Sequence, residues 1–279
     1  MKKKLKEILP PEYASDAYSS YDIIGNIAII RLTDTSKDAG PTIAKTIMST
    51  HNNVKTVLAQ TSPVKGDFRL RELKHVAGEN RTETVYKESG CSFAVDVEKC
   101  YFSPRLLHER TRITRLVKAG EIVVNMFAGV GTFSIIIAKH SNAAKVYSID
   151  INPVAVQYMR DNVRTNGVYG KVIPILAEAR EFIEEKLVHV ADRVLMPLPE
   201  KALEHLPSAL MALKAPSGWI HYYDFEYAAK AENPVEKAKQ RVAEKLESLS
   251  STFEIPYGRV VRTAGPNWYQ IALDISVIQ

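Results

Sequence analysis

The chain has 279 residues, of which 46% are hydrophobic and 25% are charged. This composition is typical of a globular enzyme and excludes collagen-like, coiled-coil and largely disordered chains. No apolar run reaches the roughly 18 residues that a membrane-spanning helix needs, so no membrane association is expected. The net charge of +5 and the pI near 9.0 permit a polyanionic partner.

The sequence carries no recognisable secretion or disulfide signal. Residues 1–8 are basic, but no apolar segment with a small-residue cleavage site follows them. Cys91 and Cys100 fit no zinc-binding spacing, and a chain of this size would not depend on one disulfide. We therefore expect a reduced, cytoplasmic protein without a metal.

The pattern of apolar residues changes near residue 98, and residues 1–98 predict a small α+β domain. Its predicted helix covers residues 38–50, where Ile43 and Ile47 lie four apart. A basic loop at residues 65–71 precedes a hairpin whose turn is Glu88-Ser89-Gly90. The predicted strands are residues 27–30, 54–60, 82–87 and 92–97.

Residues 99–279 alternate strands and helices with a regularity that the first part lacks. This alternation predicts βαβ units, and hence an α/β fold with a seven-stranded, mostly parallel sheet that an antiparallel pair completes. The predicted helices are residues 105–118, 132–140, 153–166, a segment from about Glu200, and residues 232–249. The predicted strands are residues 122–127, 145–150, 172–176, 191–196 and 219–223, a segment near Val260, and residues 269–277.

A glycine turn joins the first strand and the first full helix of this alternation. Gly129 and Gly131 follow an apolar strand, where backbone without side chains allows a ligand to approach. Asp150 ends the next strand, where a carboxylate can accept both hydroxyls of a ribose. A dinucleotide-binding turn would have a third glycine where this chain has Ser134. The turn therefore favours a nucleoside ligand without phosphate, and S-adenosylmethionine is such a ligand.

Several longer motifs resemble the archaeal and eukaryotic tRNA guanine-37 N1-methyltransferase family. They are Asn125-Met126-Phe127-Ala128-Gly129-Val130-Gly131-Thr132-Phe133-Ser134, Ile149-Asp150-Ile151-Asn152-Pro153, Tyr101-Phe102-Ser103-Pro104-Arg105-Leu106-Leu107-His108-Glu109-Arg110 and Arg193-Val194-Leu195-Met196-Pro197-Leu198-Pro199. The resemblance implies a Rossmann-like class I S-adenosylmethionine-dependent methyltransferase domain after a small tRNA-contacting domain. It also implies that an extra N-terminal domain, which in many members binds the outer corner of tRNA, is absent here, so that selection depends more on the anticodon arm. A monomer is expected.

The resemblance also implies the reaction and its catalytic residues. Methylation at guanine N1 requires a base that accepts the N1 proton and a positive group near O6. Glu109 is the expected base, four residues after Arg105 on one helix face. Arg69, or else Arg71, is expected to stabilise O6, and Leu198 with Pro199 to form one wall of the guanine pocket.

The binding residues follow from the same resemblance. The expected cofactor-binding residues are Tyr101, Arg110, Phe127, Gly129, Gly131, Asp150, Ile151, Glu178, Ala179 and Pro197. The expected RNA-binding residues are Lys65, Arg69, Arg71, Lys74 and Arg105. Pro197 departs from the family, which has asparagine at this position, so a cofactor contact there would be left to the backbone.

Two alternatives to guanine-37 methylation remain open at this stage. One is another reaction of the same family at the same nucleotide, either aminocarboxypropyl transfer or methylation of a wyosine precursor. Arg105, Asp150 and the Leu198-Pro199 pair are similar to the methyl-transferring branch. The other alternative is a non-catalytic tRNA-binding module with a degenerate cofactor pocket, which Pro197 would favour.

Overall fold

The computed structural model describes residues 21–32 and 38–278. The chain forms two compact units, Met1–Arg105 and Leu106–Gln279, which divide a few residues beyond the expected boundary at 98. The expectation about residues 1–8 lies outside the described residues. Within the described part of the chain, no helix is long and apolar enough to cross a membrane.

The first unit contains a four-stranded sheet that packs against one helix. Its strands, in the spatial order β1-β2-β3-β4, are β1 (Asp22–Ile24), β2 (Ile27–Arg31), β3 (Thr56–Gln60) and β4 (Leu73–Gly78). Only β2 and β3 are parallel, and helix α1 (Gly40–Thr50) connects them. Ile43 and Ile47 of α1 are buried against the apolar residues of the two central strands. The predicted helix and the strands that became β2 and β3 are confirmed.

A separate hairpin completes the first unit. Strands β5 (Glu83–Glu88) and β6 (Cys91–Asp96) pair with each other, and Ser89 and Gly90 connect them. Both turn residues have positive φ angles, 49° and 68°, as the tightest hairpin turns require. The predicted hairpin is confirmed.

The second unit is built on a seven-stranded sheet. Its strands are β7 (Ile122–Asn125), β8 (Lys145–Asp150), β9 (Val172–Leu176), β10 (Arg193–Met196), β11 (Ser217–Tyr227), β12 (Thr252–Gly265) and β13 (Trp268–Ile278). Their spatial order is β12-β13-β11-β10-β7-β8-β9. The run from β11 to β9 is parallel, and β13 is antiparallel to both β11 and β12. The predicted seven-stranded, mostly parallel sheet with a closing antiparallel pair is confirmed.

Helices cover the faces of this sheet. They are α2 (Leu107–Leu116), α3 (Thr132–His140), α4 (Pro153–Thr165), α5 (Ala179–Lys186), α6 (Ala202–Ala212) and α7 (Pro234–Ser248). Asn152 and Asn233 cap α4 and α7, each followed by a proline whose missing N–H costs nothing at the first helical position. The central strands are rich in buried apolar residues because helices cover both sides of the sheet, as Val124 and Val194 illustrate at 0% exposure.

The predicted placement of Arg105 and Glu109 on one helix face is wrong. Arg105 lies in a 3₁₀ turn, Pro104–Leu106, and α2 begins only at Leu107. The Arg105 side chain instead donates a hydrogen bond to the Asp22 carboxylate at 2.7 Å. Glu109 itself is buried in α2.

Candidate functional site

The glycine turn lies at the carboxyl edge of the parallel sheet, between β7 and α3. Gly129 and Gly131 both have left-handed backbone conformations, with φ angles of 56° and 90°. Asn125, the last residue of β7, holds the turn: its Oδ1 accepts the Phe127 N–H at 3.4 Å and its Nδ2 donates to Ser134 Oγ at 3.1 Å. In open α/β sheets this edge is where ligands bind.

The Asp150 carboxylate connects the glycine turn to the end of β8. Oδ2 accepts the Gly129 N–H at 2.6 Å, and Oδ1 accepts the Asn152 N–H at 2.9 Å. Burial raises the pKa of Asp150, and these two N–H groups oppose the rise. Each oxygen has a second lone pair, so both remain able to accept a hydroxyl proton. The residues present therefore fit a nucleoside whose ribose hydroxyls face Asp150.

Gly131 is required at its position by the packing of the neighbouring helices. A Cβ atom on Gly131 would lie 2.9 Å from Met159 Cγ and 3.1 Å from Ile135 Cδ1. Close packing of α3 and α4, together with the positive φ, therefore requires glycine at 131, in addition to the ligand approach that the sequence predicts there. The Asn162 side chain of α4 further holds the turn by donating to the Val130 carbonyl at 3.1 Å.

Two predicted cofactor residues, Phe127 and Glu178, both lie beside His205. Sequence reasoning did not identify His205. The Phe127 and His205 rings pack edge to face, with centroids 5.2 Å apart. His205 Nδ1 lies 3.9 Å from the Glu178 carboxylate, which also caps α5 by accepting the Glu181 N–H. Burial lowers the pKa of His205, so its ring is neutral at physiological pH. Phe127 and Glu178 thus lie on either side of His205 at the carboxyl edge of the sheet.

The remaining predicted residues of this edge follow β8, β9 and β10. Ile151 is 45% exposed and presents an apolar surface beside Asp150. Ala179 is buried at the start of α5. Pro197 is half-buried directly after β10, and Pro199 is buried two residues later.

Glu109 is 1% exposed and lies in a cluster of hydrogen-bond donors. Its Oε2 accepts from Arg112 Nη2 at 3.0 Å and from the Tyr223 hydroxyl at 3.0 Å. Its Oε1 has no hydrogen-bond partner, and the nearest cation, Arg259 Nη1, is 3.5 Å away. Burial, with the Glu109 charge adding to it, raises the pKa of Tyr223 well above 10, so the phenol remains a donor. Hydrogen bonds therefore hold Oε2, whereas Oε1 is buried, accepts no hydrogen bond and lies within ion-pair distance of Arg259.

The Glu109 cluster continues as a chain of buried ionisable side chains. Arg112 donates to Asp274 at 2.6 Å, and Asp274 accepts from His221 Nδ1 at 2.6 Å. Arg193 donates to His221 Nε2 at 2.6 Å and pairs with Glu121 at 3.0 Å. An arginine only donates, so His221 carries its proton on Nδ1.

The pKa shifts along this chain follow from burial and pairing. Burial lowers the pKa of His221, only partly opposed by Asp274, and the ring stays neutral. Burial alone would raise the pKa of Asp274, but His221 and Arg112 outweigh it and lower it to about 2. Likewise, burial alone would lower the pKa of Arg112, but the carboxylates of Asp274 and Glu109 raise it. The carboxylate of Asp274 and the guanidinium of Arg112 are therefore both charged at neutral pH.

Arg110 lies next to Glu109 in α2 but faces another neighbour. It is 2% exposed, and its guanidinium lies 6.0 Å from the centre of the Phe133 ring, two residues after the glycine turn. Arg110 is thus close to the glycine turn, because its guanidinium lies beside Phe133 of α3.

The first unit carries the other predicted side chains on or beside its basic loop. The Arg69 guanidinium covers the Tyr101 ring at 4.3 Å from its centre, and the Arg69 backbone has a positive φ of 55°. Burial lowers the pKa of Arg71. Lys74 is exposed on β4, whereas exposed Lys65 pairs with Glu72 at 2.7 Å.

A cavity of about 480 Å³ opens beside this loop. Its lining includes Lys65, Arg71 and Phe68, and the Phe68 ring is 40% exposed. The lining also includes the acidic side chains of Asp67, Glu72 and Glu98, so the cavity beside the basic loop has mixed charge.

Sequence reasoning missed the residues that hold Glu109 and the turn. Arg112 follows Glu109 at helical spacing, which is a local signal for an ion pair. Tyr223 and Asp274 lie 114 and 162 positions from their partners, so no local pattern indicates them. Among residues 21–32 and 38–278, no group of three or more histidine, cysteine or acidic side chains is placed to bind a metal.

Comparisons with known proteins agree with this architecture. Residues 84–250 match the TRM5/TYW2 methyltransferase domain family, and residues 1–82 match the TYW2 N-terminal domain family. The chain is 41% identical to the tRNA (guanine(37)-N(1))-methyltransferase Trm5b of Pyrococcus abyssi, over 96% of this chain and 78% of the relative. It is 38% identical to the tRNA 4-demethylwyosine(37)-methyltransferase Taw21 of Saccharolobus solfataricus, over 93% of this chain and 94% of the relative.

Two solved complexes have similar structures. The complex of aTrm5 with tRNALeu has a TM-score of 0.83 and 36% identity, over 99% of this chain and 77% of that one. The Methanocaldococcus jannaschii TYW2 structure with AdoMet has a TM-score of 0.70 and 28% identity, over 93% of this chain and all of that one.

Proposed function

Because the chain belongs to the TRM5/TYW2 methyltransferase family, we propose that it transfers a methyl group from S-adenosylmethionine to N1 of guanosine 37 in tRNA. The observation that carries this proposal is the glycine turn held by Asp150 at the carboxyl edge of the sheet, 2.6 Å from Oδ2 to the Gly129 nitrogen. The name of the Pyrococcus abyssi relative supports the substrate.

The cofactor is proposed to bind along this edge. Phe127 and the backbone of Gly129 and Gly131 would face its methionine part. Asp150 and Ile151 would face its ribose and adenine, and Glu178 with Ala179 the adenine amino group. Arg110 and Tyr101 are proposed to complete the pocket, with only the backbone of Pro197 available for contact. When bound, S-adenosylmethionine supplies a sulfonium methyl group that needs no metal for its transfer.

We propose that the Glu109 carboxylate accepts the proton that guanine N1 loses. The guanine must leave its stack to expose N1, and a carboxylate oxygen must then accept the N1 proton. Oε1 is the oxygen without a hydrogen-bond partner, while Arg112 and Tyr223 hold Oε2. Arg69 is the positive group proposed to stabilise charge on O6, and Pro199 is proposed to contact the guanine ring.

The first unit is proposed to bind the anticodon arm of tRNA. In this proposal, its phosphate contacts come from Lys65, Arg69, Arg71, Lys74 and Arg105. Binding that depends on such contacts weakens steeply as the salt concentration rises. We further propose that the protein acts as a monomer in the cytoplasm.

A second candidate is methylation of 4-demethylwyosine at the same nucleotide. It is favoured by the alignment with Taw21, which covers 94% of that relative, and by the match of residues 1–82 to the TYW2 N-terminal domain family. Aminocarboxypropyl transfer uses the same cofactor and would add a much heavier group.

Nucleoside mass spectrometry tests these candidates together. Unmodified tRNA, and tRNA that carries 4-demethylwyosine, are each incubated with the protein and S-adenosylmethionine. We expect one methyl group on guanosine 37, and none when that guanosine is replaced. Persistent methylation of the substituted tRNA would reject the substrate, an aminocarboxypropyl mass would reject the reaction, and failure to bind the cofactor would favour a non-catalytic tRNA-binding module.

A further inference from the structure

Strands β11, β12 and β13 extend beyond the rest of the sheet on the side of the candidate site. The last pairing of β10 with β11 is Met196↔Tyr222, whereas β11 and β13 stay paired as far as Tyr227↔Trp268. At about 3.3 Å per residue, the extension is roughly 15 Å long. We name residues 223–227, 259–265 and 268–272 the projecting ribbon. Because β10 and β11 are parallel, the ribbon lies beyond the carboxyl edge that carries the glycine turn.

One face of the projecting ribbon is continuous with the Glu109 cluster. The Tyr223 hydroxyl contacts Glu109, and side chains alternate along a strand, so Tyr227 points to the same side of the sheet as Tyr223. Trp268 is the direct cross-strand partner of Tyr227, and directly opposed residues share a face. The two rings pack edge to face with centroids 5.7 Å apart. An aromatic pair therefore lies farther out on the face that holds Glu109.

Arginines occupy this face between Glu109 and the aromatic pair. Arg259 Nη1 lies 3.5 Å from Glu109 Oε1. Arg262 lies farther out, opposite Gln270, whereas Arg259 lies opposite Ala272. The Arg262 Nε donates to the Gln270 side chain at 2.7 Å. Cationic groups thus follow the same direction as the ribbon.

The acidic residues of the ribbon face the other way. Asp224 and Glu226 alternate with Tyr223 and Tyr227 along β11, so they point to the opposite side. There, Arg241 pairs with both carboxylates at 2.8 Å. The face that carries Glu109 is therefore basic and aromatic, whereas the negative charge of the ribbon is neutralised on its other face.

Exposure of the rings makes this face suitable for single-stranded RNA. Tyr227 is 45% exposed and Trp268 is 47% exposed. Unstacked RNA bases stack on aromatic rings, and arginines bind the phosphates between them. A partner with negative charge and flat apolar groups complements the ribbon better than a purely apolar partner does.

We propose that the projecting ribbon binds the RNA strand that flanks the modified nucleotide. One base stacks on Trp268, which Tyr227 contacts edge to face, and Arg262 binds an adjacent phosphate. The inference rests on the proposed function, since it takes the strand to continue from the nucleotide that meets Glu109.

The test compares the affinities of full-length variants for a tRNA transcript with guanosine 37. Trp268→Ala should weaken binding roughly 5- to 50-fold, because it removes one stacking surface. Trp268→Phe keeps a flat ring and should bind nearly as the wild type does. Tyr169→Ala is the matched control: Tyr169 is 76% exposed but precedes β9 at the opposite edge of the sheet, so its loss should leave the affinity unchanged.

A second variant tests the phosphate contact independently of the aromatic pair. Arg262→Gln should reduce the slope of log Kd against log salt concentration by roughly 0.7 to 0.9. Arg180→Gln is its charge-matched control, since Arg180 is exposed on α5. Heat of binding to S-adenosylhomocysteine checks that each variant is folded.

The outcomes separate this inference from the proposed reaction. Wild-type affinity in Trp268→Ala together with an unchanged salt slope in Arg262→Gln would overturn the inference, even if guanosine 37 is methylated. Weakened binding in these variants would support the inference even if the wild type transfers no methyl group, which would reject the proposed reaction alone. If the wild type does not bind the transcript, both are rejected.

Discussion

Tyr223 donates its hydroxyl proton to Glu109 across 114 positions of sequence, at 3.0 Å. Arg112 donates to the same oxygen, so two donors fix one side of the carboxylate while Oε1 has no hydrogen-bond partner. This asymmetry is what a proton acceptor needs, because the held oxygen orients the group and the other one receives the proton. Oε1 lies 3.5 Å from Arg259 Nη1 but accepts no hydrogen bond, which makes it the oxygen proposed to receive the proton.

Glu109→Gln should slow methyl transfer without weakening cofactor binding. A general base typically contributes a factor of about 10² to 10⁴ to the rate, and glutamine has nearly the same shape but cannot accept the proton. Single-turnover kinetics with tRNA measure the chemical step, and calorimetry with S-adenosylhomocysteine measures cofactor affinity.

Glu121→Gln is the matched control for that experiment. Glu121 also pairs with an arginine of the buried chain, Arg193, but lies at its far end from Glu109. We expect this variant to lose stability and to keep a single-turnover rate close to that of the wild type. Equal rates in Glu109→Gln and the wild type would remove Glu109 from its proposed role.

Asp150→Asn should weaken binding of S-adenosylhomocysteine by about 10- to 100-fold. Asparagine loses the negative charge, and hydrogen bonds to charged groups contribute about 1.5 to 3 kcal/mol. Calorimetry measures the affinity, and Asp161→Asn on the exposed surface of α4 is the control. Unchanged affinity would show that the ribose hydroxyls bind elsewhere.

The stability of the protein should fall on acidification because of Asp274. Pairing with His221 and Arg112 outweighs burial and lowers the pKa of Asp274 from 3.8 to about 2. A depressed carboxyl pKa contributes stability above the unfolded-state value, here roughly 2 kcal/mol, which is lost as the pH falls from about 4 to about 2. His221 acts in the same direction at higher pH: burial lowers its pKa below 6.5, so the unfolded chain takes up the proton first.

Urea unfolding at a series of pH values checks this expectation. Asp274→Asn should be less stable at neutral pH, by about 3 kcal/mol, because Arg112 loses one of its two carboxylate partners and His221 loses its charged acceptor. Its free energy of unfolding should also decline less between pH of about 4 and 2 than that of the wild type. Asp161→Asn should keep the wild-type slope; an equal slope in both variants would contradict the assignment.

The sequence was sufficient for the parts of the fold that local patterns determine. The alternation from β7 to β11 has short, largely apolar strands separated by well-spaced helices, and the β5–β6 turn has the residues that a tight hairpin requires. Strands β1 and β4 were not predicted. β1 has only three residues, and β4 places two exposed residues, Lys74 and His75, side by side, which breaks the alternation of a half-buried strand.

The candidate site was predictable only where its residues are close in sequence. Gly129 and Asp150 lie at the ends of consecutive parallel strands, so topology alone brings them together. Tyr223 and Arg259, two partners of Glu109, come from β11 and β12, and Asp274 of β13 holds Arg112, so all three contacts depend on the completed sheet. Arg105 shows the converse, since local spacing favoured Glu109 and tertiary structure supplied Asp22 instead.

Gly131→Ala should destabilise the protein by about 3 kcal/mol, which combines a left-handed backbone at about 1 to 2 kcal/mol with overpacking at about 1 to 3 kcal/mol. The added Cβ would lie 2.9 Å from Met159 Cγ. Gly167→Ala isolates the backbone term, because Gly167 has a φ of 68° and no atom lies within 4 Å of its Cβ position. We expect it to cost only about 1 kcal/mol in urea unfolding. Adding Met159→Ala to Gly131→Ala should then cost less than the two separate effects summed, since the second change makes room for the first. Equal losses in the two glycine variants would show that packing against α4 does not require glycine at 131.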